Sequence, residues 1–277
     1  MSLTNADYKS KGLMILVFQR LIHNKNLLKE FIHRDLHSRY AGSVMGIFWS
    51  IIHPIVTLMI YTFLFSVILK VKLGDQPGMT NFALYLFCGM CPWLAFQDAV
   101  QRSTSSIVDN SNLIKNMVFP AKILPLYLSC SSLITGLINL GILTIAILII
   151  LKFVSPYIIV LPLLLVFQLL FALGLGLLTS TVNIFFRDTT QIMGVLLTVW
   201  MFLTPIFYPE SLVPERFLGF YMLNPMTHLV HIYRDIFLNG HMFQMSNFFY
   251  FAACSVIAYF VGYRIFTKYH KKFVDLL

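Results

Sequence analysis

Charge is scarce in this sequence. Only 11% of the residues are charged and only 11 are acidic, whereas a soluble domain carries about 25% charged residues. A chain of 277 residues that is 58% hydrophobic cannot hide its apolar surface in water, so a soluble globule is excluded. Cysteine is also sparse: Cys88, Cys91, Cys130 and Cys254. The pair Cys88 and Cys91 has CxxC spacing but lies inside an apolar run, with no second pair or nearby His to complete a zinc set, so it reads as helix packing. No GxxxxGK[ST] loop is present, which excludes ATP hydrolysis through the usual phosphate loop. No HExxH motif occurs; His33 with His37 and His228 with His231 can share helix faces, but no carboxylate set joins them, and no metal is expected. No secretory leader is expected from the first 25 residues either. Residues 13–18 form the only apolar run near the start, too short for a span or a leader core, so the N-terminus is expected to stay in the cytoplasm.

Long apolar runs are what the sequence has in quantity. Stretches of about 20 apolar residues are read as helices that cross a membrane, because lipid forces backbone polar groups to be satisfied within the segment. They fall at about 44–69, 81–100, 130–151, 157–186, 190–207 and 247–266. The expected fold is an all-α polytopic membrane protein with six transmembrane helices in one domain spanning residues 44–277. Residues 208–246 do not fit that pattern. They hold two short semi-apolar pieces separated by Asn224-Pro225, neither long enough to cross, and are expected to form a re-entrant hairpin on the outer side.

Charge distribution supports this topology. With the N-terminus inside, fifteen of the 20 Lys and Arg lie on the inner side, and Lys70, Lys72, Lys152, Arg216 and Arg234 lie outside. A crossing within 208–246 would put the basic tail 267–277 outside, against the positive-inside rule. The net charge of +9 follows from the same bias, so nucleic acid is not an expected partner. Ahead of the first span, residues 26–40 are amphipathic. Leu28, Ile32, Leu36 and Tyr40 repeat every four residues, while Lys29, Glu30, His33, Arg34 and His37 fill the opposite side, as in a helix lying in the membrane interface against anionic lipid. Gly42-x-x-x-Gly46 and Gly174-Leu-Gly176 would permit close helix approach.

Four blocks carry a family resemblance. They are Arg34-Asp35-Leu36-His37-Ser38-Arg39-Tyr40 with Gly46-Ile-Phe-Trp49 and His53-Pro54; Asn112-Leu-Ile-Lys115 with Phe119-Pro120 and Leu124-Pro125; Phe186-Arg187-Asp188; and Asn224-Pro225 with Tyr233-Arg234-Asp235 and Gly240. In this order the sequence resembles the permeases of type 2 ABC exporters for O-antigen, capsule or teichoic-acid polysaccharide. The resemblance implies a homodimer working with two copies of a separate ATPase that binds ATP and Mg, so this chain needs no cofactor of its own. It also implies a polysaccharide substrate on a polyprenyl diphosphate, moved across the bacterial cytoplasmic membrane with both termini cytoplasmic. A polyprenyl-dependent glycan-transferring enzyme is the alternative. It needs a carboxylate or His cluster on a sizeable loop, which the short loops and few acids argue against. A secondary transporter would usually carry intramembrane ionisable residues, and the spans hold almost none, Asp98 lying near an end.

The candidate residues follow from that substrate. Arg34, Arg39 and Lys29 are candidates for the diphosphate, since guanidinium and ammonium groups pair with phosphate oxygens; the plain alternative is ordinary inner-side charge. Trp49, Trp93 and Phe96, with Phe48 and Tyr61, are candidates to stack sugars along a path, or else belong to the interfacial aromatic belts. Asn112, Leu113, Ile114 and Lys115 are expected to form a coupling helix on the ATPase, with a second contact from Glu30 and Asp35. Asn224, Pro225, Tyr233, Arg234 and Asp235 are expected at an outer gate, where Arg234 and Asp235 would be costly unless paired or hydrated. Arg187 and Asp188 are read as a structural turn, a capping Asp with a local Arg partner.

Overall fold

The computed structural model of the protein describes residues 25–39, 41–43, 45–61, 63–64, 68, 82–116, 120–209 and 213–277. The expectations for residues 1–24, for Tyr40, for the far end of the first span and for Phe119 lie outside these residues. All regular elements among the described residues are helical. Helix α1 is Lys25–Ser38 and α2 is Trp49–Tyr61. The long α3, Phe82–Asp109, is followed by the short α4, Ser111–Asn116, and by α5, Ile123–Leu151. Then come α6, Leu161–Phe185, entered through a 3-10 turn at Pro156–Val160, and α7, Thr189–Leu203. The chain ends with α8, Glu215–Leu223; α9, Pro225–Arg234; α10, Met245–Tyr269; and α11, Phe273–Leu276.

Among the described residues, four helices are long and apolar enough to cross a membrane: Phe82–Asp109, Ile123–Leu151, Pro156–Phe185 and Met245–Lys272. Two shorter apolar helices, α2 and α7, stand where the first and fifth runs were read. The outward side chains suit lipid: Ile149 is 70% exposed and Ile159 is 84% exposed. The protein is thus a helical membrane protein, with α3 as its central helix.

Helix α3 runs nine residues past the expected end of the second span. Its 28 residues extend about 42 Å at 1.5 Å per residue, more than the hydrocarbon core of about 30 Å. Polar residues beyond position 100 do not end it, because two of their hydroxyls bond carbonyls of the same helix and that of Ser103 bonds the Pro125 carbonyl. Thr104 donates to the Val100 carbonyl at 2.8 Å and Ser106 to the Ser103 carbonyl at 2.7 Å. Helix α5 begins earlier than expected for the same reason, with Ser129 donating to the Pro125 carbonyl at 2.8 Å. Hydropathy sees only the lipid-matched part of such helices.

Small residues set the spacing of the bundle. Helix α10 lies along α6, and there a Cβ on Gly262 would collide with the Gly174 carbonyl, while one on Gly174 would collide with the backbone of Ala258 and Tyr259. Gly176 leaves room for Ser103 of α3, and Gly136 of α5 for Ala95 of α3. The reading of Gly174-Leu-Gly176 therefore holds. That of Gly42-x-x-x-Gly46 does not: both glycines sit in the turn between α1 and α2 at φ of +81° and +50°, with open space where a Cβ would be. They serve backbone conformation, not helix contact.

At one end of the bundle, α8 and α9 meet at the predicted break. Asn224 Oδ1 accepts from the Met226 amide at 3.0 Å and from Trp200 Nε1 at 2.8 Å, so one side chain caps α9 and ties it to α7. Helices of nine and ten residues reach only about 15 Å and cannot cross. A π-helical turn, Asp235–Asn239, and Gly240 at φ +66° end the hairpin. At the other end, Leu27, Leu28, Phe31 and Ile32 of α1 lie on a second apolar cluster, and Lys29, Glu30, His33, Arg34 and His37 face out, the predicted amphipathic division.

Candidate functional site

Four charged side chains converge beneath α1. Asp35, 8% exposed, points inward from that helix. Arg39 Nε donates to Asp35 Oδ2 at 3.2 Å and Ser131 Oγ donates to the same oxygen at 2.5 Å. Arg102 of α3 binds both carboxylate oxygens, Nη1 to Oδ2 at 3.1 Å and Nη2 to Oδ1. Arg39 Nη2 also donates to Asp98 Oδ2 at 2.9 Å, and Ser132 Oγ donates to it at 2.6 Å. Two arginines and two aspartates thus form a neutral square linking α1, α3 and α5. Burial pushes the Asp35 carboxyl up, but the hydrogen bonds from Arg102 and Ser131 and the charges of Arg102 and Arg39 outweigh it, holding the group below its ordinary value of 3.8. With its folded value depressed, Asp35 contributes stability above about pH 4 and loses it only as pH falls further.

This square changes what two predicted residues are seen to touch. Arg39 was read toward a phosphate, yet its guanidinium already lies on two carboxylates. Asp35 was read toward a partner subunit, yet it faces the bundle. Arg34 and Lys29 remain on the open face, Arg34 over the Phe31 ring at 4.7 Å. Arg34 lines a shallow groove with Glu30, Phe31, His33 and His37, whose two imidazoles are 4.4 Å apart. The sequence reading missed Arg102, Ser131 and Ser132 and treated Asp98 only as a span-end charge. The available signal was Asp98 four residues before Arg102 in an otherwise nearly uncharged helix.

The aromatic candidates separate into two groups. Trp93 and Phe96 are wholly buried at the centre, with Phe96 5.2 Å from Phe171 and 5.4 Å from Trp200. Trp93 Nε1 is satisfied by Gln97 at 2.7 Å. Phe48 and Trp49 are exposed where α2 begins, Trp49 Nε1 donating to Ser43 Oγ at 3.0 Å, and Tyr61 is half-buried at the end of α2. Tyr61 packs against the same apolar cluster as Trp93 and Phe96, while Phe48 and Trp49 stand apart from it.

Asn112, Leu113, Ile114 and Lys115 do form a helix, α4, with Asn112 and Lys115 exposed and Ile114 buried. Arg187 and Asp188 form the exposed turn between α6 and α7, but the expected cap is a correction. Asp188 occupies the N-cap position without a side-chain capping bond. Thr189 closes the turn instead, its hydroxyl donating to the Phe186 carbonyl at 2.5 Å, and Thr190 bonds Asn183 at 3.1 Å. Asp188 has helical backbone angles there, and a capping side chain needs an extended residue.

In the hairpin, Tyr233 is buried and donates to Gln168 Oε1 at 2.8 Å. Arg234 and Asp235 do not pair with each other, against the simplest reading of their adjacency. Asp235 accepts from Asn239 at 3.0 Å and lies 3.8 Å from His241 Nε2. Arg234, 5% exposed, lies over the Tyr85 ring at 3.4 Å and donates to the Ile206 carbonyl at 3.1 Å. Adjacent residues on a helix point about 100° apart, which explains the separation. Gly89 makes the space, since a Cβ there would stand 3.1 Å from Arg234 Nη2.

An amphipathic helix braced on apolar helices, a short helix between the second and third apolar runs, and two short helices before the last run define the architecture. Residues 26–238 match the description ABC-2 type transporter. The chain belongs to that family. Among relatives of this ABC-2 permease, the O-antigen export system permease protein RfbA of Klebsiella pneumoniae is 30% identical over 259 residues, covering 91% of this chain and 95% of the relative. The protein of the same description from Myxococcus xanthus is 28% identical, covering 95% and 99%. The polysialic acid transport protein KpsM of Escherichia coli is 24% identical, covering 84% and 89%. The ABC-2 permease is therefore a homologue of O-antigen and capsule export permeases, and its family implies an ATPase subunit as partner.

Proposed function

We propose that this permease carries polyprenyl-diphosphate-linked polysaccharide of the O-antigen kind across the cytoplasmic membrane, as a homodimer driven by two copies of a separate ATPase. The observation that carries the reading is the end-to-end similarity to O-antigen export permeases, which covers 91% to 95% of the chain. In this reading α2 and α7 belong to the first and fifth of six spans, the α8–α9 hairpin re-enters from the outside, and both termini are cytoplasmic. Deleting the gene tests it. Finished lipid-linked glycan should accumulate inside the cell and vanish from the surface; normal surface glycan would overturn the proposal.

Arg34 and Lys29 are the diphosphate contacts we favour, because they are the outward cations of α1, whereas Arg39 is held by Asp35 and Asp98. Arg39 then acts by positioning the helix. Reversing Arg34 and Lys29 together to Glu should lower export at least about tenfold, the loss of roughly one charge-assisted contact, with insertion unchanged. Unaltered export at normal expression would count against the site. Glycan stacking on Trp93 and Phe96 would require the central cluster, with Tyr61 against it, to open, whereas Phe48 and Trp49 are already exposed at the start of α2.

For the hairpin, the gate reading rests on Arg234. It is a buried cation with no carboxylate partner among the described residues, and its Nε has no hydrogen-bond partner there. Substitution by an apolar side chain of similar length removes a desolvation cost of that kind. Arg234→Met should therefore keep or raise the melting temperature while altering export. A large drop in melting temperature would show that the guanidinium is simply a structural tie.

A further inference from the structure

The tail after the last span is not a free basic extension. Helix α10 runs on through a 3-10 turn, His270–Lys272, into α11, which lies beside α4 and the end of α6. Phe273 is 1% exposed and packs edge-on to Phe266 at 5.1 Å, in the same apolar cluster as Ile107 and Ile114. Leu277, four residues on, packs on that cluster too. Tyr269 meets Phe185 at 5.5 Å, fixing the tail to the end of α6. The lysines Lys271 and Lys272 stay exposed.

Helix α4 needs such support. Six residues make too few hydrogen bonds to offset helix nucleation, so a helix of this length has little stability of its own. Its start is held by the Asn110 carbonyl, which accepts from the Leu113 and Ile114 amides at 3.0 and 3.3 Å. Ile114 is its buried anchor, and Phe273 belongs to the cluster that receives it. Asn112 and Lys115 are thereby presented outward.

We propose that Phe273 is a positioning residue for energy transfer: the C-terminal segment braces α4 from below, so that force received by Asn112 and Lys115 from the ATPase moves the ends of α3, α6 and α10 together. This rests on the reading of α4 as the coupling helix. A brace that is absent lets α4 yield under load, which wastes ATP instead of abolishing its hydrolysis.

The test uses the complete permease–ATPase complex in membranes, with three readouts: ATP hydrolysis, glycan export, and crosslinking of a cysteine at Asn112 to the ATPase. Crosslinking in the otherwise unaltered complex tests the coupling reading itself, and its failure there and at neighbouring positions would remove that reading. Given crosslinking, Phe273→Ala should leave hydrolysis within about twofold, reduce export at least about fivefold and weaken the crosslink, because a large buried contact is lost. Phe273→Leu should restore export. A purely structural role would lower hydrolysis and export in parallel with the amount of assembled complex. Unchanged export per ATP and an unchanged crosslink in Phe273→Ala would overturn the proposal. If Phe273→Ala fails to accumulate, Leu277→Ala carries the same comparison, and a normal ratio of export to ATP there overturns it equally.

Discussion

Replacing Asp35 by Asn should destabilise the protein by about 3 kcal/mol or more, the cost of leaving buried charge uncompensated. The neutral partner would still accept hydrogen bonds, but Arg39 and Arg102 would face each other across it with only Asp98 to balance them. Adding Arg102→Gln should recover part of the loss. The double variant removes one charge of each sign and leaves the Arg39–Asp98 contact at 2.9 Å intact. Thermal unfolding of the purified single and double variants measures the coupling, and additive losses would show that the square does not act as a unit. The pH profile gives an independent check. Since the folded Asp35 titrates below 3.8, the gap between wild type and Asp35→Asn should be constant near neutrality and close only below about pH 4. Function should suffer along with stability, because the square adds charged ties from Asp35 and Arg39 to α3 and α5 to the apolar contacts that hold α1.

Gly262→Ala should be nearly as damaging. A single added methyl there meets the carbonyl of Gly174 and not the movable end of a side chain, so α6 and α10 must separate along their shared length. Overpacking of this kind costs about 1 to 3 kcal/mol, and the rigid backbone obstacle places it at the upper end. Gly174→Ala should behave alike, since its methyl meets the backbone of Ala258 and Tyr259. Gly219→Ala is the control, for nothing lies within 4 Å of that position. Melting temperatures in detergent should fall for the first two and hold for the third. An unaffected Gly262→Ala would mean that the two helices do not touch as closely as the structure shows.

The helix at Asn112–Lys115 was expected only from the family resemblance, whereas the membrane character, the amphipathic division of α1 and the break at Asn224-Pro225 were all legible in the sequence. Each depends on residues close together in the chain: a run of apolar side chains, a period of four, or a proline that cannot continue a helix. Helix ends were read less well. Thr104, Ser106 and Ser129 look like loop residues to a hydropathy scale, but each of these three hydroxyls bonds a carbonyl of its own helix. The Asp188 cap failed because backbone angles, not residue type, decide whether a side chain can reach back.

The sequence by itself determined that this chain lives in a membrane, because 58% apolar residues in long runs leave no soluble alternative. Its charge distribution likewise carries the expectation of which segments favour the inner side. Only the tertiary structure decided how the scarce charges are used. Asp35 pairs with Arg102 across 67 residues of chain, Arg39 with Asp98 across 59, and Arg234 rests on Tyr85 with no carboxylate partner among the described residues. No local pattern marks such partners, because electrostatic pairing depends on distance in space and on the exclusion of water, and both arise only when the helices pack.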